Sequence, residues 1–183
     1  MADRFAICLP FTLAQECPLP NDWSNPRNFS DDAHDPGGKT MCGIIQREYD
    51  LYRKAKGLDT QDVRLISEDE GDDIFDEHYW MPYCPRLPIG MDMQLFDAAV
   101  NMNTTEAVKI LQYSLGINND GLWGQQTNDA VAAISDVPQA VNKFTTRRMA
   151  VYRQMKGFPY FGRDWINRAD QIGATALKMA AGA

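Results

Sequence analysis

A predominantly α-helical, all-α protein is what this sequence predicts, and three observations carry the expectation. Apolar residues recur at helical spacing through most of the 183 residues. Capping residues stand ahead of several of these stretches. Alternating, strand-like runs are nearly absent. The 44% hydrophobic content and the 8 Phe, 7 Tyr and 4 Trp exclude a disordered chain. A net charge of −7 provides no electrostatic footprint for nucleic acid or an anionic membrane surface. Membrane insertion is not expected either, because no apolar run reaches the roughly 18–20 residues of a span.

The first helix is expected over Asp3 to Glu16, with Phe5, Cys8, Leu9 and Leu13 on its apolar side, Pro10 inside it and Pro18 and Pro20 closing it. From Cys17 to Lys39 there is no periodicity, only Pro, Asn, Asp, Ser and Gly, which reads as a functional loop. Helical spacing resumes from Thr40 to Lys56 through Ile44, Ile45, Tyr49 and Tyr52, and stops at Gly57. Ser67 followed by Glu70 is a capping box for a helix that carries Ile74, Phe75, His78 and Tyr79 toward Trp80.

The Pro-rich link from Pro82 to Pro88 divides the chain into an expected first half, residues 1–88, and a second, residues 89–183. In the second half, Met91 to Met102 forms a helix and Asn103 with Glu106 caps the next one, as far as Leu115. Asp120-Gly121 is a turn, a short helix follows from Thr127 to Ile134, and Asp136-x-Pro138-Gln139 opens a long helix toward Gly157. A last helix carries Trp165, Ile166, Ala169, Ile172 and Leu177. Cys8, Cys17, Cys42 and Cys84 form no C-x-x-C pair and are read as reduced, buried thiols. His34 and His78 stand apart, so neither a metal site nor any other cofactor is expected.

Two places carry candidate chemistry. Glu16 closes the first helix, where the partial negative charge of the helix end and the apolar neighbour Leu13 both favour a protonated carboxyl. That suits a general acid, although an ordinary exposed carboxylate would also stand there. Asp35-Pro36-Gly37-Gly38-Lys39-Thr40, with Gly43 three residues on, reads as a tight turn that lets backbone approach a ligand, with Thr40 at the following helix start. It equally describes a generic loop entry.

These residues, taken in order, resemble the glycoside hydrolase family 108 lysozymes. Phe5 stands eleven residues before Glu16, and Asp35-Pro36-Gly37-Gly38-x-Thr40-x-x-Gly43 follows. Tyr79-Trp80-x-Pro82 precedes Leu87-Pro88, and Phe96-Asp97-x-Ala99-Val100-Asn101 comes next. Ala107-Val108-x-x-Leu111-Gln112, Asp120-Gly121, Arg148 to Arg153 and Trp165-Ile166-Asn167-Arg168 resemble the predicted peptidoglycan-binding segment that follows in such proteins.

The resemblance implies a lysozyme-like fold of two helical halves packed as one compact unit. It implies hydrolysis of the β-1,4 bond between N-acetylmuramic acid and N-acetylglucosamine of peptidoglycan, as in phage endolysins. The family's acid falls on Glu16, and its loop and threonine on Asp35, Gly37, Gly38 and Thr40. Asp35 is the candidate second carboxylate, or else a structural acceptor in its own turn. Trp23, Tyr79 and Trp80 are candidate sugar-contacting aromatics.

The chain departs from the family at two points. It reads Glu16-Cys17-Pro18-Leu19 in place of Glu-Gly-Gly-Tyr, and Thr40-Met41-Cys42-Gly43-Ile44-Ile45 in place of Thr-Asn-Lys-Gly-Ile-Thr. An active muramidase is the expectation. Its rival is a catalytically weakened lysozyme fold that binds peptidoglycan or serves secretion or tail assembly. With no signal peptide readable around Phe5 to Ala14, the expected route is cytoplasmic synthesis, then action in the periplasm or wall after holin-type release or injection.

Overall fold

The computed structural model describes residues 3–20, 22–31 and 38–182. It divides into two compact units, Met1–His78 and Tyr79–Ala183. The division falls at His78 rather than at Pro88. The Pro-rich link packs into the second unit, where Cys84 and Leu87 are buried and Trp80 meets Phe96 edge-on at 5.6 Å.

In the first unit, α1 spans Arg4–Glu16, and the Asp3 side chain accepts from the Phe5 N–H. Pro10 lies inside the helix without ending it, and Cys8, Leu9, Thr12 and Leu13 form the buried stripe. Beyond α1 the chain is more ordered than its composition suggests. Asn25 caps a 3₁₀ turn at Pro26–Asn28. The buried Asn28 amide donates to the carbonyls of Leu19 and Asp22 and accepts from the Leu19 N–H, so one side chain pins the loop.

Three two-residue strands follow, β1 (Phe29–Ser30), β2 (Thr40–Met41) and β3 (Ile44–Ile45), paired antiparallel in the order β1-β2-β3. Phe29 pairs with Met41, and Met41 with Ile44. Thr40 therefore lies in a strand and not at a helix start, and the helix expected from Thr40 begins only at Gln46. The cause is the Cys42-Gly43 turn, with φ of +47° and +84°, the left-handed pair that closes a tight hairpin. The hairpin buries Met41 and Ile44 and leaves Thr40 and Ile45 half-buried, an alternation that fits strands.

Helix α2 spans Gln46–Ala55, and α3 spans Glu68–Phe75 with the expected Ser67–Glu70 capping box in place. Tyr49 donates its hydroxyl to Glu70 at 2.7 Å, and Arg53 reaches the other carboxylate oxygen at 2.6 Å, tying α2 to the start of α3. The chain then widens into a π-helical turn at Asp76–Trp80.

Cys17 and Cys42 are joined by a disulfide, while Cys8 and Cys84 are buried thiols outside it. This corrects the expectation of four reduced thiols. No C-x-x-C spacing announces the pair, because the hairpin folds back to bring its turn to the end of α1. Closing a separation of 25 residues contributes about 3–4 kcal/mol in the chain-entropy account.

Asp72 on α3 lines a groove with Phe5, Leu9, Leu13 and Glu68, and one of its carboxylate oxygens is buried without a partner. Burial first, then the charges of Glu68, Asp69 and Asp73, push its pKa up from 3.8 to about 6. Its folded-state value thus exceeds the unfolded one. The stability from its retained proton is complete below pH 3.8 and disappears as pH rises through about 6. Asp72→Asn is expected to stabilise the protein at pH 7 by on the order of 1 kcal/mol, after allowance for solvent screening, and to change little at pH 4. Thermal melts at the two pH values test this. Equal shifts at both would refute it.

The second unit is built around α4, Met91–Met102, which is buried from Met91 to Ala99. Gly90 has φ +95°, and a methyl group there would lie 2.6 Å from the Ala176 carbonyl oxygen, so only glycine lets the helix start against its neighbour. Around α4 lie α5 (Thr104–Ser114), α6 (Gln125–Ala132), α7 (Val137–Tyr152) and α8 (Phe158–Ala181). Asn103 and Asp136 cap α5 and α7 as expected.

At the centre, Asp97 on α4 is fully buried with two guanidinium partners, Arg148 of α7 at 2.6 Å and Arg168 of α8 at 2.9 Å. Burial alone would raise the Asp97 pKa, but the two arginines and their hydrogen bonds outweigh it and hold the carboxyl below the ordinary range. Arg148 also donates through Nε to the Tyr152 hydroxyl, which donates to Asn101. Among the described residues, no helix is long and apolar enough to cross a membrane.

Candidate active site

The site gathers where α1 ends. Glu16 is the last residue of that helix and is half-buried. The Cys17 N–H closes the helix on the Leu13 carbonyl at 2.8 Å, and Pro18 prevents further helical bonding. Against the Glu16 side chain stands Gly43 of the hairpin turn. A methyl group on Gly43 would lie 3.3 Å from both Glu16 Cβ and Oε2. The glycine therefore does two things: it supplies the left-handed φ of the turn, and it leaves room for the carboxylate.

The hairpin that contributes Gly43 also carries Thr40. Its hydroxyl donates to the Gly38 carbonyl at 3.0 Å, which leaves the oxygen lone pairs available to a water or a sugar hydroxyl. Gly38 itself has φ +64° and open space where a side chain would stand, as the expected backbone approach to a ligand requires. Beside it, Lys39 is paired with Asp62 at 2.6 Å, which fastens this edge of the loop to the segment before α3. Burial is slight at Asp62, and the hydrogen bonds from Arg64 and Lys39 hold its carboxyl far below the usual range. Asp35 and Gly37 lie outside the described residues.

The aromatic expectations change. Trp23 is not an open sugar platform: it is 5% exposed, and its ring lies against Gly71 of α3 with no room for a side chain there. Trp80 is likewise buried, at 4%, beneath Phe96 in the second unit. Tyr79 is half-buried and belongs to that same unit. Trp123 stacks on Tyr83 at 4.6 Å and donates to Asn128, a packing role within its turn.

The residues missed in the sequence are Cys17 and Cys42. A signal for them existed: the two cysteines sit at the two family departures, each next to a site residue.

A second concavity, of about 850 Å³, lies in the second unit between the end of α5 and α7. Tyr113, Gln139, Lys143 and Arg147 line it, with the Arg147 guanidinium 3.9 Å from the centre of the exposed Tyr113 ring.

A carboxyl at a helix end, facing a glycine turn and a threonine-bearing hairpin in a largely helical unit, has the makings of a glycoside hydrolase site. Residues 24–102 match the model of the family described as glycosyl hydrolase 108, which bears out the resemblance read in the sequence over that span. The matched segment supports glycoside hydrolase activity. Among solved structures it is similar to that of Brucella abortus SagA, with 26% identity, a TM-score of 0.77, and coverage of 96% of this chain and 95% of that one. No curated relative matches the chain. Glu16 stands ahead of the matched family segment but inside the span of the structural likeness.

Proposed function

We propose that this protein is an N-acetylmuramidase that cleaves the β-1,4 bond between N-acetylmuramic acid and N-acetylglucosamine, with Glu16 as the general acid. The observation that supports this most is the packing of the Glu16 carboxylate over Gly43, beside a hairpin that carries Thr40. In this reading Glu16 protonates the leaving glycosidic oxygen. The Thr40 hydroxyl orients a water or a sugar hydroxyl, and the Gly38 backbone lies along the glycan. Asp35 is the proposed second carboxylate. Tyr79 is retained as a sugar contact; Trp23 and Trp80 are not.

The second unit is proposed to add affinity for glycan strands, and the groove beside Tyr113 is the surface suited to it, since a flat ring packs against sugar C–H faces. The site of action is proposed to be the periplasm or wall, as in phage endolysins, and the Cys17–Cys42 disulfide supports an oxidising compartment.

Borohydride reduction of digested, purified peptidoglycan tests the bond assignment. New reducing ends are expected on muramic acid and are read as muramitol by mass spectrometry. Reduced glucosamine ends, or no new ends at all across pH 4–8, would sink the proposal and favour the non-catalytic binding role.

A further inference from the structure

We infer that the Cys17–Cys42 pair positions the Glu16 carboxylate, so that the hydrolase works at its full rate only with the pair oxidised. The inference rests on the reading of Glu16 as the general acid and says what holds that acid in place. Cys17 follows Glu16 directly, and Cys42 directly precedes Gly43, the residue against which the Glu16 side chain packs. The covalent link therefore joins the immediate neighbours of the two groups in contact.

Hydrogen bonds link the two segments only indirectly, through Asn28, whose side chain holds Leu19 and whose carbonyl accepts from Cys42. The Cys17 N–H goes back into α1, to Leu13, and the Cys42 N–H goes to Asn28. Pro18 and Pro20 have no N–H to offer. A second, independent observation is the backbone of Cys42, whose φ of +47° lies in the region that favours glycine. A side chain is kept there in spite of that preference, and its sulfur is the atom the link needs. Both cysteines are buried, at 3% and 1% exposure, so an ordinary reductant reaches them only when the helix end and the hairpin separate.

Formation of the link is a two-electron exchange. The Cys17 and Cys42 thiols lose two protons and two electrons to a disulfide of the thiol–disulfide oxidant class, which is released as a dithiol. Reduction by a dithiol reverses every term. In a reducing compartment the helix end that carries Glu16 and the turn that carries Gly43 lose their covalent link, and the enzyme is held back. After transfer to an oxidising one the acid is fixed. A misplacement of about 1 Å in a catalytic group is enough for an approximately 100-fold loss of rate.

The test compares wild type, Cys17→Ser/Cys42→Ser and Glu16→Gln, each before and after treatment with a phosphine reductant, using soluble peptidoglycan fragments as substrate. Alkylation of denatured wild type is expected to tag two thiols before reduction, Cys8 and Cys84, and four after it. On reduction, kcat is expected to fall at least about 10-fold with KM within about twofold and far-UV circular dichroism unchanged, and reoxidation restores it. The serine pair behaves as the reduced protein does, and Glu16→Gln is inactive in both states.

Four tagged thiols before reduction, or an unchanged kcat after it, overturns the inference. So does a loss of kcat that appears only together with loss of helical signal, which marks a plain structural cross-link. If the serine pair does not fold, reduced wild type decides alone. Wild-type activity in oxidised Glu16→Gln would remove the general-acid reading and this inference with it. That outcome differs from failure of this inference alone, in which Glu16→Gln is inactive and reduction changes nothing.

Discussion

Replacing Glu16 by Gln lowers the rate of reducing-end release by about 10²–10⁴-fold, the usual contribution of a positioned proton donor. Glutamine keeps the shape of the side chain and its packing over Gly43, so melting temperature and affinity for uncleaved glycan stay close to wild type. The amide has no proton to give a leaving oxygen near neutral pH. Turbidity loss and reducing-end assays on the same peptidoglycan, run beside binding to insoluble wall, separate chemistry from adhesion. A fully active Glu16→Gln protein would assign the proton to another residue. An inactive wild type that still binds would make the cleft a holder of glycan rather than a cutter.

Asp97→Asn has the largest expected effect on stability. It leaves Arg148 and Arg168 buried against a neutral amide, and removing one partner of such a set destabilises by about 3–5 kcal/mol. For a chain of this size that corresponds to a fall in melting temperature of about 6–20 °C. The effect is specific to losing one partner: replacing all three residues with apolar groups of similar volume is expected to restore much of the stability. Acid exposes the same centre. The folded-state pKa of Asp97 is below its unfolded value, so its contribution is complete above the unfolded value and is lost as pH falls through the folded one. A melting temperature within 2 °C of wild type for Asp97→Asn would show the triad to be energetically neutral.

The helices were legible because their signals are local. Ser67 with Glu70, Asn103 with Glu106, and Asp136 with Gln139 are caps whose partners lie three residues away, and each forms as expected. The hairpin was not legible. Its strands are two residues long, and Ile44 and Ile45 fit the period of the helix that follows, so only the left-handed turn at Cys42-Gly43 separates the two patterns. Trp23 was misread because the space it fills is opened by Gly71, far along the chain, while its sequence neighbours Asp22 and Ser24 are polar. The Phe96-Asp97, Arg148 and Arg168 motifs were visible as separate marks of the family. That all three meet in one buried ion cluster depends on how α4, α7 and α8 cross, which no single segment encodes. Glu16, Thr40 and Gly43 were candidates through the family pattern, and the fold adds that Gly43 faces the Glu16 side chain.

The Asp97 cluster also sets a timetable for the nascent chain. Its carboxylate is synthesised with α4, its first guanidinium arrives with α7, and its second comes only with Arg168 in α8. Until α7 is made the Asp97 charge has no partner, and until α8 is made α4 lacks its full cover and Asp97 its second guanidinium, so the second unit closes last while the first unit, complete by His78, can already close. Synthesis interrupted between α7 and α8 would therefore release a finished N-terminal unit attached to an unfinished, apolar C-terminal one, the kind of intermediate that chaperones retain and proteases trim.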